Sequence, residues 1–358
     1  MLTHLEINQF RNLSQLTLEP CQKFNLITGP NGSGKTSILE AIHMLGLGRS
    51  FRSRSSKSVI QEGKNALTVF GILGLDSETR VGIEKQRNNQ NRIRIDQQDV
   101  ASAASLAELF PLQVIHPDSY RLLDSGPRYR RQFLDWGLFH VEQHFFSQWQ
   151  QLKHLLLQRN AALKTNLSKV EIQLWDEKFI EVSTSIESMR HTYFEAYYPI
   201  FRSILTQVTP LSGITLHYKQ GWNPDKSLAE ILEKSFSRDF EKGHTQYGPH
   251  RSDLEVLVRG IPVQDILSRG QQKSLVYALR LAQGILFHQT AQKKCVFLID
   301  DLCSELDQYF MEKVLDCLIQ VDSQIFMTAV HPNSLEKALE GQESKLFHVE
   351  HMETDQKT

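Results

Sequence analysis

Hydrophobic and polar positions alternate over residues 2–9, LTHLEINQ, where Leu5 and Ile7 face one way, and this predicts a strand. Arg11 and Asn12 turn the chain into a second short strand around Leu16 and Leu18. The apolar run Phe24–Thr28 predicts a buried strand, and Thr36–Leu47 the helix that follows it. Strands are expected again at Leu67–Leu73, Arg80–Glu84 and Arg92–Ile95, the last two joined through the polar hairpin loop QRNNQN, and at Leu112–Ile115. From about Pro127 to Pro210 the apolar spacing changes to three and four. WQQLKHLLLQRNAALK and WDEKFIEVSTSIESMRHTYFEAYYPIF show it, and it predicts amphipathic helices. Strands return at Thr215–Tyr218, Leu254–Val258, CVFLIDD (295–301) and QIFMTAV (324–330); the polar tail after about Met352 reads as loose. CVFLIDD is apolar until its end, as a central parallel strand should be.

This order predicts an α/β fold: a mixed-sheet domain made of residues 1–120 and 246–358, split by a helical lobe at 121–245. A length of 358 residues fits about two domains. Forty basic residues against 41 acids exclude a globally basic surface, so any contact with nucleic acid must be local. Cys21, Cys295, Cys303 and Cys317 are scattered, which favours a reduced, cytoplasmic chain over a disulfide scaffold or zinc site. The opening residues carry Glu6 and do not resemble a signal peptide. No apolar run approaches the roughly 20 residues needed to span a bilayer. No membrane partner is expected.

The chemistry enters at GPNGSGKT. Gly29, Pro30, Asn31, Gly32, Ser33, Gly34, Lys35 and Thr36 fit G-x-x-x-x-G-K-[ST], placed between strand and helix as a phosphate loop requires. The glycines let successive N–H groups point at phosphate oxygens, and the helix adds its positive end. Lys35 would reach the β- and γ-phosphates of ATP, and the Thr36 hydroxyl would ligate Mg²⁺. The carboxylates that such a site needs stand at the end of VFLIDD: Asp300 to hold the metal, Asp301 to orient or deprotonate the attacking water.

LSRGQQKSLVYALRLAQGILF (267–287) starts a helix with Ser268, Arg269, Gly270 and Gln271, and resembles the signature motif, usually LSGGQ, of the ATP-binding-cassette superfamily. A serine at a helix N-terminus offers hydroxyl, free N–H groups and dipole to an anion. The resemblance implies that this motif meets nucleotide held by a second, facing copy, giving an ATP-dependent homodimer with two half-sites per chain. Ser304-Glu305-Leu306-Asp307 resembles the D-loop along that seam.

Three stretches are similar to the RecF family of recombination mediators: LEINQFRNL with the phosphate loop, HPDSYRLLDSGPRYRRQFLDWGLFH (116–140), and YGPHRSDLEV joined to LSRGQQKSL. The resemblance implies an ABC-type ATPase head of the chromosome-maintenance and Rad kind, with mixed β-sheets around the P-loop and an inserted, mainly helical lobe. It places Arg11 and Asn12 at the nucleotide, Gln113 at the magnesium-sensing position, and Thr328 or His331 at the switch position. It further implies weak ATP hydrolysis and binding of single-stranded gaps and linear double-stranded DNA. RecR and RecO as partners, recombinase loading, replication, repair and the SOS response follow from it too. A transporter ATPase subunit is the alternative, and a nucleotide-ordered scaffold without turnover a third class. Asp301, one methylene shorter than the glutamate common in transporters, is expected to slow hydrolysis.

Two basic stretches are candidates for DNA. Arg49, Arg52, Arg54 and Lys57 lie in GRSFRSRSSK without an acid, and can neutralise phosphates or simply form a solvated surface. Arg128, Arg130 and Arg131 form the second group, in which Arg130 and Arg131 can alternatively buttress the domain joint. No base-reading motif is evident, so binding should be sequence-independent. His140 and His144 lack the spacing of a zinc helix and are expected on a helix surface.

Overall fold

The computed structural model describes residues 1–350 apart from 54, 75–76, 166, 303–307 and 332, with the side chains of 333 and 334 also left aside. Arg54, the D-loop residues Ser304–Asp307 and the tail after Met352 therefore lie outside the described residues. The chain forms two compact units, Met1–Ser119 with Gln207–Thr209 and Gln292–Thr358, and Tyr120–Thr206 with Pro210–Ala291. The first crossing falls after Ser119. The second falls after Ala291, so residues 246–291, with LSRGQ, belong to the second unit.

The first unit starts with β1 (Leu2–Phe10), β2 (Leu13–Leu18), β3 (Phe24–Thr28) and α1 (Lys35–Leu47). It continues through β4 (Ala66–Leu73), β5 (Thr79–Gln86), β6 (Asn91–Ile95), β7 (Gln98–Asp99), α2 (Ala103–Leu109) and β8 (Leu112–Ile115). In the second unit come α3 (Arg121–Asp124), α4 (Pro127–Val141), α5 (Phe145–Ala162), α6 (Lys169–Val208), β9 (Ile214–Lys219) and α7 (Leu228–Lys242). They are followed by β10 (Asp253–Val258), β11 (Ile261–Pro262), α8 (Val263–Ile266) and α9 (Arg269–Ala291). The chain then returns to the first unit with β12 (Val296–Ile299), α10 (Gln308–Gln320), β13 (Gln324–Ala329), α11 (Asn333–Ala338) and β14 (Ser344–His348).

Among the described residues the first unit holds an antiparallel sheet in the order β2-β1-β4-β5-β6-β7 and a parallel sheet in the order β14-β3-β13-β12-β8. β3, β12 and β13 are buried at every position, as strands covered on both faces must be. α1 buries Ile38, Leu39, Ile42 and Leu45 in a core shared with Leu5, Ile7, Val69, Val81 and Leu298. Ligands bind such parallel sheets at the carboxyl ends of the strands. Here those ends carry Gly29, Asp300 and Thr328.

The second unit is mainly helical, with the small sheet β11-β10-β9. α6 runs for 40 residues through Pro199. α9 is anchored within this unit: Tyr197 donates its hydroxyl to the Leu279 carbonyl at 3.0 Å, and Gln283 donates to the Phe133 carbonyl at 2.8 Å. Those buried contacts explain why the LSRGQ segment goes with the helices. The separate zinc-like pair is also resolved: His140 lies in α4 against Trp136 and Phe287, whereas His144 stands beyond the helix end, exposed. Among the described residues no helix is long and apolar enough to cross a membrane.

Candidate nucleotide site

The turn after β3 can only be made with glycine. Gly29 has φ +145°, and a Cβ there would lie 2.1 Å from the Val349 carbonyl oxygen; Gly34 has φ +113°, and its Cβ would lie 2.7 Å from Leu13 Cδ2. Gly34 also caps α1 without a side-chain hydrogen bond, and no acid stands in the first turn. The helix therefore offers uncapped N–H groups to an anion. The Ser33 hydroxyl is buried with no partner, an orphan that a bound phosphate oxygen can satisfy.

Lys35 is 9% exposed, and its Nζ donates to the carbonyls of Gly29 and Pro30 at 2.8 Å each. Burial lowers its pKa, opposed by Asp301 and Asp300. Asp300 is 8% exposed and accepts from Thr36 Oγ1 at 2.9 Å and from Thr328 Oγ1 at 2.8 Å. Burial pushes its carboxyl up, against those two hydrogen bonds, with Asp301 adding to the rise and Arg52 opposing it. Asp301 has the left-handed φ of +58° and donates its N–H to Thr328 Oγ1 at 2.8 Å. Aspartate is among the residues that tolerate this conformation, and the Thr328 hydrogen bond helps to hold the backbone there. Thr36 and Asp300 form a hard oxygen pair suited to Mg²⁺. A cleft of about 860 Å³ joins these groups and is lined by Arg11, Asn12, Lys35, Thr36, Asp300, Asp301 and Thr328 among others.

Arg11 and Asn12 line the cleft chiefly as braces. Arg11 donates to both oxygens of the fully buried Glu40 at 2.9 and 2.7 Å, and to the Ser58 carbonyl at 2.9 Å. Asn12 donates to the Gly32 carbonyl at 3.0 Å and accepts from Ser37 at 2.9 Å. Glu40 was not visible as a site residue in the sequence; a lone acid in an otherwise apolar helix face was its only signal. Ile60, Gln61, Glu62 and Arg87 also line the cleft and carried no motif.

The basic stretch after α1 is drawn to the same cleft. Phe51 packs between the rings of His43 and His116 at 5.3 and 5.2 Å. Nδ1 of His43 donates to the Arg49 carbonyl at 2.7 Å, and burial pushes this imidazole down to about 4. Arg52 and Lys57 thus come to line the nucleotide cleft, while Arg49 is exposed. In the second group Arg128 is exposed, but Arg130 is bidentate to Asp253 at 2.8 Å and Arg131 donates to the Ser252 carbonyl at 2.7 Å. The Arg130 fork and one donor of Arg131 are thus engaged inside the second unit, where these residues brace the segment at Ser252 and Asp253. Gln113 is 1% exposed within β8 and is not among the residues that line the cleft. Thr328 stands beside Asp300, whereas His331 is exposed beyond β13.

In the second unit Ser268 and Gln271 form a reciprocal cap on α9: Ser268 N donates to Gln271 Oε1 at 3.0 Å, and Gln271 N to Ser268 Oγ at 3.3 Å. Gly270 stands in the first turn with nothing within 4 Å of a Cβ.

A phosphate loop at the end of a parallel strand, an acid pair two strands away in the same sheet and a second, antiparallel sheet define an ATPase head of the ABC type. The chain matches the RecF/RecN/SMC N terminal domain over residues 1–357. It is 44% identical over 361 positions to the DNA replication and repair protein RecF of Pseudomonas aeruginosa, covering 100% of this chain and 98% of that one. Identity to the RecF protein of Shewanella sediminis is 43% over 351 residues, covering 98% of each. Among solved structures, the recombination mediator RecF bound to ATP, from the RecFOR pathway, superposes with a TM-score of 0.81 at 26% identity over 92% of each chain. An Smc head bound to the C-winged helix domain of ScpA superposes at 0.61 with 14% identity, covering 94% of this chain and 91% of that one, a likeness of fold. The chain belongs to the RecF family, DNA replication and repair proteins with an SMC-type head.

Proposed function

We propose that the protein is an ATP-operated DNA-binding switch that mediates recombination at gapped and linear DNA. The observation that carries this reading is the preformed cleft, where Lys35, Thr36, Asp300, Asp301 and Thr328 converge under the phosphate loop. Lys35, held now by two carbonyls, would exchange them for the β- and γ-phosphate oxygens of ATP. Thr36 and Asp300 are the donors that would hold Mg²⁺, which supplies charge neutralisation to the phosphates. Asp301 would orient the attacking water, and its short side chain suits slow turnover.

Ser268 and the first residues of α9 face solvent, which supports a second copy as the source of the missing half of the site. ATP would then join two copies into a dimer that encloses DNA, and hydrolysis would open it. Arg49, Arg52, Lys57 and Arg128 are the basic side chains left for DNA phosphates, and contacts of that kind carry no sequence information. Membership of the RecF family supports RecR and RecO as partners, recombinase loading at single-strand gaps, and a part in the SOS response. No feature favours a transporter subunit.

Fluorescence anisotropy of a labelled gapped duplex tests the reading. With ATP and Mg²⁺ the wild type should bind more tightly than without nucleotide, and Lys35→Met should lose the gain. Equal affinity in all three cases contradicts it.

A further inference from the structure

Twelve large apolar or aromatic side chains stand well exposed among the described residues, and six of them belong to one small region of the second unit. Leu157 lies on α5, Leu167 follows that helix, Val170, Leu174 and Trp175 lie in the first turns of α6, and Phe240 is near the end of α7. Leu157, Val170 and Leu174 are 68%, 71% and 76% exposed. The three helices meet through a small core of Ala162, Leu163 and Ile172, with Phe236 of α7 packed against it. Phe240 stacks on Phe236 with ring centres 6.1 Å apart, and the Lys164 side chain passes over Gly243, just beyond α7. Arg159 donates to Asp176 at 2.6 Å, and Leu157 and Leu174 each stand two positions before that pair, on the far side of their helices. Single exposed apolar side chains are ordinary, but a cluster of them marks a contact surface.

The charges that accompany the cluster are largely of one sign. No aspartate or glutamate occurs from Gln143 to Val170, in a chain where acids fill 41 of 358 positions. Lys153, Lys164 and Lys169 are exposed in that stretch, and among the described residues none of them pairs with a carboxylate. Nζ of Lys153 lies 4.4 Å from the centre of the Trp149 ring, and Nζ of Lys169 lies 5.4 Å from that of Phe236. An ammonium so placed is steadied by the ring and keeps its charge for another partner. Glu171, the first acid after the stretch, is turned back onto Ser168, whose N–H and hydroxyl donate to it at 2.8 and 2.7 Å. Glu177, one turn beyond Leu174, bounds the cluster on α6.

We infer that this surface, where α5, α6 and α7 meet, docks an acidic amphipathic helix of another protein. Nucleic acid fits it poorly. Phosphates would lie against apolar side chains, and the Trp149 and Phe236 rings, on which bases could stack, already carry lysines. A second copy meeting the surface about a twofold axis would set lysine against lysine, a like-charge contact that costs affinity. A helix with apolar residues at every third or fourth position and acids beside them covers Val170, Leu174 and Phe240 and neutralises Lys164 and Lys169 together. None of these residues lines the nucleotide cleft, so docking needs no nucleotide.

Fluorescence anisotropy of the full chain with a labelled synthetic peptide tests this. The probe carries leucine at every third or fourth position and glutamate between; one control has lysine in place of glutamate, and another has the probe's residues in scrambled order. The glutamate peptide should bind at least about tenfold more tightly than either control. Val170→Ser combined with Leu174→Ser should weaken it about tenfold while the thermal midpoint stays near wild type. Lys164→Glu combined with Lys169→Glu should weaken it similarly and let the lysine peptide bind instead, a reversal that merely structural lysines would not give. Binding of all three peptides alike, or of none, overturns the inference. So does a loss of oligothymidylate binding in the serine variant, which would assign the surface to nucleic acid. Nucleotide-free wild-type dimers that the same variant abolishes would assign it to a second copy and overturn the inference as well.

Discussion

The phosphate loop in the first unit and the signature turn in the second are both expected to meet the same triphosphate, yet they are built in opposite ways. Around the loop nearly every polar group is engaged internally: Lys35 on two carbonyls, Thr36 and Thr328 on Asp300, Arg11 on Glu40, Asn12 between Gly32 and Ser37. At the turn, Arg269 is held by one hydrogen bond and a ring face, and Gly270 borders open space. The first is a receptor folded around its ligand's position. The second is a presented surface that nothing in its own unit completes. Stability should therefore depend on the first, and association on the second.

The largest effect expected from this contrast is on Glu40. Glu40→Ala leaves the Arg11 guanidinium against a buried void and should destabilise the protein by about 3–5 kcal/mol in urea unfolding. Arg269→Ala should change that measurement by no more than about 0.5 kcal/mol. Comparable losses for the two would erase the distinction. Next is Lys35→Met, for which equilibrium dialysis should show ATP affinity reduced at least about a hundredfold through loss of a charge-assisted contact. Thr328→Val removes a hydroxyl that donates to Asp300 and accepts from the Asp301 N–H, and the Mg²⁺ dependence of nucleotide binding should shift about 10–100-fold to higher metal concentration.

The smallest effect concerns pH. Burial raises the Asp300 carboxyl above its unfolded value, so the folded state binds this proton more tightly than the unfolded chain. Its contribution to stability is full below the unfolded pKa and is lost as pH rises through the folded one. At neutral pH the nucleotide-free protein thus bears a destabilising charge, and Asp300→Asn should raise the thermal midpoint while weakening Mg²⁺-dependent binding. A midpoint that falls at pH 7 would show that the Thr36 and Thr328 hydrogen bonds outweigh desolvation.

What could be read from the sequence was what is local in it. The phosphate loop, the acid pair after VFLI and the helical switch from Pro127 are contiguous patterns, and each appears where its residues predict. β14, Ser344–His348, escaped because four of its five positions are exposed and it has no apolar run. Glu40 escaped because its role depends on a partner far along the chain, Arg11. The direction of an arginine is equally non-local: RYRR reads as a basic patch, yet Asp253 and Ser252, on a strand far away in sequence, take up Arg130 and Arg131. The lobe boundary at 245 missed α9 because an amphipathic helix does not announce which core takes its apolar face.

Analytical ultracentrifugation of two variants, alone and mixed, bears most directly on the shared triphosphate. Lys35→Met retains an intact signature turn and Ser268→Arg an intact phosphate loop, so only a mixed pair can assemble one whole site. With ATP and Mg²⁺ each variant alone should sediment as a monomer, and the equimolar mixture should form dimers. Dimers of Ser268→Arg alone, or a mixture that stays monomeric while the wild type dimerises, would contradict the account.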